Sequence, residues 1–191
     1  MSIPSVDPAF YYPSYVNPFP ALSMEQFRLV QQAWKRVKDG QFEAFTVQTL
    51  VADPLGWWGL QFYDTLFELN PALKPLFKNT FTQSKMLTEM VDAALGLLPG
   101  VLDQALGTEK TAIDPQLIPI LVDLAARHVS YNVKAAHYGT VGLALVTTLE
   151  RTLGNHFDAQ TKAAWVELWS LICTVMIPAH VQQAQAMGVE V

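Results

Sequence analysis

The chain has 191 residues, 12 Lys and Arg against 17 Asp and Glu for a net charge of -5, and 51% hydrophobic against 15% charged residues. That length suits one domain with appendages, and the hydrophobicity excludes a disordered chain. The acidic balance, with no basic run, speaks against nucleic acid as a partner. Cys173 is the single cysteine, which excludes an intramolecular disulfide framework and a thiolate zinc site and fits a reducing, cytoplasmic setting. The first basic residue is Arg28, so the N-terminus lacks the charged region that opens a secretory signal.

Residues 1–22 carry prolines at 4, 8, 13, 18 and 20 among Phe10, Tyr11, Tyr12, Tyr15 and Phe19. Such a segment cannot propagate a helix; it is either an arm packed on the domain or disordered. Ser23 and Gln26 form a capping box, and Phe27, Val30, Trp34 and Val37 follow at helical spacing, predicting a helix over 23–39 that ends at Gly40. Asp53-Pro54 reads as an N-cap and first-turn proline opening a helix through Trp58, Phe62 and Leu66. Asn70-Pro71 repeats the signal for a short turn ending near Phe77. A further helix carries Met86, Leu87, Met90, Val91 and Leu98 up to Pro99-Gly100, and 101–113 reads as a connector.

Asp114-Pro115 opens a helix with Leu117, Leu121, Leu124 and His128 on one stripe. Ala135 to Leu153 forms another, stopping at Gly154-Asn155, and Asp158 caps a last one through Trp165, Trp169, Ile172 and Met176. Pro178 is expected to kink or end that helix. Leu168 to Val189 has no Asp, Glu, Lys or Arg, but its proline, histidine and three glutamines make it a buried terminal helix rather than a membrane span. No segment shows period-two alternation, so the fold class is all-α with about eight helices.

No glycine-rich phosphate loop, G-x-S-x-G elbow or H-E-x-x-H motif is present. Four histidines remain. His156 falls in a turn, His180 beyond Pro178 where a surface position is expected, and His137 at a helix start. His128 lies on the apolar stripe of its own helix, facing the core. A buried imidazole needs a partner for each nitrogen. Iron can serve one and a carbonyl one turn back the other, although a hydrogen-bonded core histidine satisfies the same spacing.

Five stretches, Phe62-Tyr63-Asp64-Thr65-Leu66-Phe67, Asn70 to Phe77, Gln83-Ser84-Lys85-Met86-Leu87, Leu117 to His128 with His137-Tyr138, and Gly154-Asn155-His156-Phe157 with Lys162 to Trp165, together resemble the globin family. The likeness is to bacterial single-domain haemoglobins, the haem domain of flavohaemoglobins and neuroglobin-like proteins. It implies a globin fold over 23–187, with an N-terminal extension at 1–22, insertions near 40–54 and 101–113, and a tail at 188–191. It also implies haem b, its iron held by His128, with Phe77 wedged against the porphyrin and Leu87 above the iron. Tyr63 and Gln83 match the distal polar pair. Tyr138 matches a tyrosine that, in flavohaemoglobins, helps a glutamate of the last helix polarise the proximal histidine. Counted without gaps, that glutamate position falls near His180, which does not support a strongly pushing proximal side.

The resemblance implies reversible binding of O2, with NO and CO as further ligands, in a gas-binding, transporting or sensing role. Its alternative is an NO dioxygenase or peroxidase-like enzyme supplied by an external reductase, since no flavin or nicotinamide domain is expected after Val191. In the sensing case a signalling partner would read the arm or the insertions. A third class is a helical interaction protein without haem.

Overall fold

The computed structural model describes residues 6–47, 51–97 and 117–191. Seven α-helices lie in these residues: α1 (Met24–Lys38), α2 (Glu43–Thr46), α3 (Pro54–Leu69), α4 (Thr80–Leu97), α5 (Leu117–Ser130), α6 (His137–Leu153) and α7 (Ala159–Met187). Tight 3-10 turns occupy Pro8–Tyr11, Pro71–Leu76 and Gly154–His156. No strand occurs among the described residues. The expected stop at Pro99-Gly100, the connector 101–113 and the start at Asp114-Pro115 lie outside the described residues.

Helix starts are set by side chains that satisfy the first free backbone N–H groups. Ser23 and Gln26 make a reciprocal capping box, with Gln26 N donating to Ser23 Oγ at 3.1 Å and Ser23 N to Gln26 Oε1 at 2.9 Å. Asp53 accepts from Gly56 N at 2.9 Å ahead of Pro54, and Asp158 from Thr161 N at 2.8 Å. Asn70 does the same for Ala72 N at 3.2 Å, opening the 3-10 turn before Phe77.

α7 is the central helix. It packs against α1, α5 and α6, while α3 packs against α4 and α6. Trp34 of α1, Trp58 of α3 and Trp165 of α7 meet in the core, with Trp34 edge-on to Trp58 at 5.2 Å between centroids and 6.1 Å from Trp165. α7 is long and apolar enough to cross a membrane, with a mean hydropathy of 1.4 in its best window, yet 61% of that window is buried inside the domain. Its apolar faces are thus used by its neighbours.

Two expectations are corrected on α7. Pro178 does not end it; the helix continues to Met187 and closes at Gly188, whose φ of 65° is left-handed. A proline inside a helix forfeits one backbone bond, and here the burial of Met176, Ile177, Val181 and Ala184 on both sides of it outweighs that loss. His180 is accordingly not on the surface but fully buried. Residues 177, 180, 181 and 184 share the inward stripe of the continued helix.

The N-terminal segment, described from residue 6, is a packed arm. Val16 and Leu22 are buried. Asn17 N donates to Ser170 Oγ at 3.0 Å, Ala21 N to Glu167 Oε1 at 2.6 Å, and Tyr15 Oη to the Gly139 carbonyl at 2.5 Å. Tyr15 and the Trp169 indole approach Gly142 so closely that any Cβ there would overlap both.

Candidate functional site

α5 presents His128 half-buried at its C-terminal end. Its Nδ1 lies 2.7 Å from the Leu124 carbonyl, one turn back. A carbonyl oxygen only accepts, so Nδ1 carries the proton and Nε2 a lone pair. Nε2 has no hydrogen-bond partner among the described residues. Burial holds the imidazole below its usual pKa, keeping it neutral as a metal ligand must be.

Behind His128 stands Tyr138, in the first turn of α6 and buried. The two rings lie nearly parallel, 6.3 Å apart at 29°. Burial raises the Tyr138 phenol, which therefore stays protonated. Its Oη is 3.4 Å from His180 Nδ1 on α7, and the two rings meet edge to face at 5.6 Å.

Tyr63 and Phe77 come together elsewhere in the domain, 5.1 Å between centroids and edge to face, with Phe67 against both. Burial pushes the Tyr63 phenol up to about 12, so it is a donor at neutral pH. Its hydroxyl has no hydrogen-bond partner among the described residues. Gln83, on the first turn of α4, is half-buried with its Oε1 buried and unpartnered. Leu87 lies one turn on, half-buried against the core.

α3 and α4 are locked together at Gly59 and Ser84, where a Cβ on the glycine would come 2.5 Å from the Ser84 Cβ. Tyr63 is one turn beyond Gly59, and Gln83 adjoins Ser84. This crossing therefore sets the spacing between Tyr63 and Gln83.

His128 Nε2, Tyr63 Oη and Gln83 Oε1 are polar atoms without protein partners among the described residues, on α5, α3 and α4. Such atoms point to a group supplied from outside the chain. No three His, Cys, Asp or Glu side chains converge as a metal cage among the described residues. One neutral imidazole with a free nitrogen suits a metal that brings its own macrocycle, as haem iron does. The residues present fit that group.

The Gly59–Ser84 crossing is the contributor that sequence reasoning missed; His180, which the resemblance put near the glutamate position, was expected on the surface, and its burial was missed. The 177, 180, 181, 184 spacing would have found His180 had the helix been carried past Pro178. A single glycine within an apolar helix gives no comparable sign of a crossing.

The sequence model of the family described as Globin matches residues 60–176. A flavohemoprotein of Chromobacterium violaceum is 31% identical over 117 residues, 61% of this chain and 26% of the relative. One from Oceanobacillus iheyensis is 31% identical over 120 residues, again 61% and 26%. The chain thus spans about a quarter of the length of the curated relatives it matches. Among solved structures, a haemoglobin component (TA-VII) of Tokunagayusurika akamusi superposes with a TM-score of 0.61 at 18% identity, covering 84% of this chain and 99% of that one. A flavohemoglobin of Malassezia yamatoensis with bound FAD and haem also gives 0.61 at 16% identity, covering 86% and 38%. These two likenesses show the fold.

Proposed function

Because the chain belongs to the globin family, we propose that it binds haem b through His128 and holds diatomic gases, O2 first and NO or CO besides, as a binding or sensing protein. The observation that carries this reading is the His128 imidazole, its Nδ1–H spent on the Leu124 carbonyl and its Nε2 free. When bound, the haem would supply an iron that takes up a diatomic gas. The chain supplies the rest. The Leu124 carbonyl fixes the ring orientation and tautomer of His128. Tyr63 keeps its proton and Gln83 offers an amide, two donors for a ligand that gathers negative charge. Phe77 and Leu87 give an apolar wall that keeps water from competing for those donors.

A second reading is favoured by the identity to flavohemoproteins: the same pocket turns over NO with O2 or performs peroxidase-like chemistry, its electrons drawn from a reductase outside this globin domain. Turnover of NO with and without an added flavin reductase separates the two.

The primary test is the absorption spectrum of the full chain titrated with haem. The expected result is one haem per chain with a Soret band, lost in His128→Ala or rescued there by added imidazole, and retained in His137→Ala. Unchanged haem binding and an unchanged histidine-ligated spectrum in His128→Ala would remove His128 from its role.

A further inference from the structure

We propose that His180 is a positioning residue for the proximal iron ligand, acting through Tyr138, and that it does so as an uncharged imidazole which leaves His128 an ordinary neutral ligand. This rests on the haem reading above. The starting observation is an expensive one: His180 has no solvent exposure, and its Nε2 is buried without a partner. A fully buried polar side chain with one hydrogen-bond partner is oriented by that partner. The contact is Tyr138 Oη, and Tyr138 is in turn the ring lying along His128.

The arrangement is a stack of three rings from three helices. His128 of α5 lies along Tyr138 of α6 at 29°, and Tyr138 stands at 89° to His180 of α7. The 3.4 Å separation is long for an N···O bond, so edge-to-face packing contributes to the hold.

Tautomer and charge follow from the surroundings. Were His180 to donate, the Tyr138 phenol proton and the His180 Nε2 lone pair would both lack partners among the described residues; with Tyr138 donating, only one N–H does. Tyr138 Oη therefore donates to His180 Nδ1, and the proton of His180 sits on Nε2. The charged and titratable groups that act on His180 are His128, His137 and Lys134, none of them a carboxylate, and all disfavour a second proton on it. Among the described residues no carboxylate bonds to Tyr138 or His180, and His128 Nδ1–H is bonded to a neutral carbonyl. A carboxylate in either place would draw that proton and make His128 a stronger electron donor; nothing in this stack does so.

The experiment is resonance Raman spectroscopy of the iron–histidine stretch in the ferrous, haem-loaded full chain. The wild type is expected to show one narrow band at the low frequency of a neutral histidine. His180→Phe, which keeps a ring but loses the acceptor, should broaden or split it. His180→Gln, which restores an acceptor through its amide oxygen, should narrow it again. His180→Glu should raise the frequency and lower the iron midpoint potential. In the CO-bound wild type, nitrogen-15 NMR should show His180 protonated at Nε2, with its shifts moved in Tyr138→Phe; this reading does not depend on any His180 variant folding. A high, imidazolate-like frequency in the wild type, or Phe and Gln variants identical to it, would overturn the proposal. Absence of any iron–histidine band in the wild type would instead overturn the haem reading.

Discussion

Tyr63 is held by Phe62, Phe67 and Phe77, and its unpaired hydroxyl is the part of the ring that packing does not explain. Hydrogen bonds to charged groups are worth about 1.5–3 kcal/mol, or about ten- to more than a hundredfold in an equilibrium constant. Tyr63→Phe should therefore speed O2 release from the ferrous protein by at least about tenfold, measured by stopped flow. CO release should change far less, because CO gathers little charge on its outer atom. Equal changes for both gases would mean that Tyr63 only fills space. Gln83→Leu is expected to do less alone and more in combination, as coupled neighbours do. His180 gives a prediction of a different kind. Burial first, then His128, His137 and Lys134, lower its pKa from the ordinary 6.5 to about 4. Between those values the unfolded chain takes up a proton that the folded one refuses, so native stability falls as pH drops through that window and is unaffected by this group above it. Urea midpoints of His180→Phe should decline less steeply from pH 6.5 to 4 than those of the wild type, with His128 supplying part of the remaining slope.

Helix crossings decide where those residues stand. At Gly59 a Cβ would collide with the Cβ of Ser84, and the Ser84 Cα and carbonyl lie 3.1 and 3.2 Å from the same point. Gly59→Ala should destabilise the protein by about 1–3 kcal/mol, the usual cost of overpacking, seen as a lower urea midpoint. Ser84→Gly should recover only part, since the backbone contacts remain. Gly59→Ala should also speed O2 release, because Gln83 moves with Ser84. Much of the helical plan was legible in the sequence because caps and periodicity are local: Ser23, Asp53, Asn70 and Asp158 each announce a start within three residues. His128 was legible for the same reason, as one residue on a short-range stripe. His180 was misread because Pro178 carries a strong local penalty, whereas what overrides it is burial against α5 and α6, which no local window contains. The approach of Tyr138 to His180, 42 residues apart, is likewise a tertiary fact. The N-terminal aromatics left packing and disorder equally open, since their partners are Gly139, Glu167 and Ser170.

At the scale of the whole molecule, the described ion pairs each have an exposed partner. Such pairs contribute about 0–1 kcal/mol each, so stability rests on the core and on the arm that covers part of it. Removing residues 1–22 strips Val16 and Leu22 from the core and unpairs the Ser170 hydroxyl and Glu167 from their arm partners. At about 1.5–3 kcal/mol for each buried aliphatic side chain, the truncated chain should keep its helical circular dichroism but unfold several degrees lower. Tyr15→Phe should lose a smaller part of the same stability. The arm's contacts also have an order in time. Its hydrogen bonds join residues 124 to 153 positions apart, and a ribosome adds about 5–20 residues per second. The arm is thus made well before its partners and can dock only after them, waiting about 10–30 s for α6 and α7 to emerge. Through that interval five prolines keep an aromatic-rich stretch from collapsing into a helix or pairing as a strand.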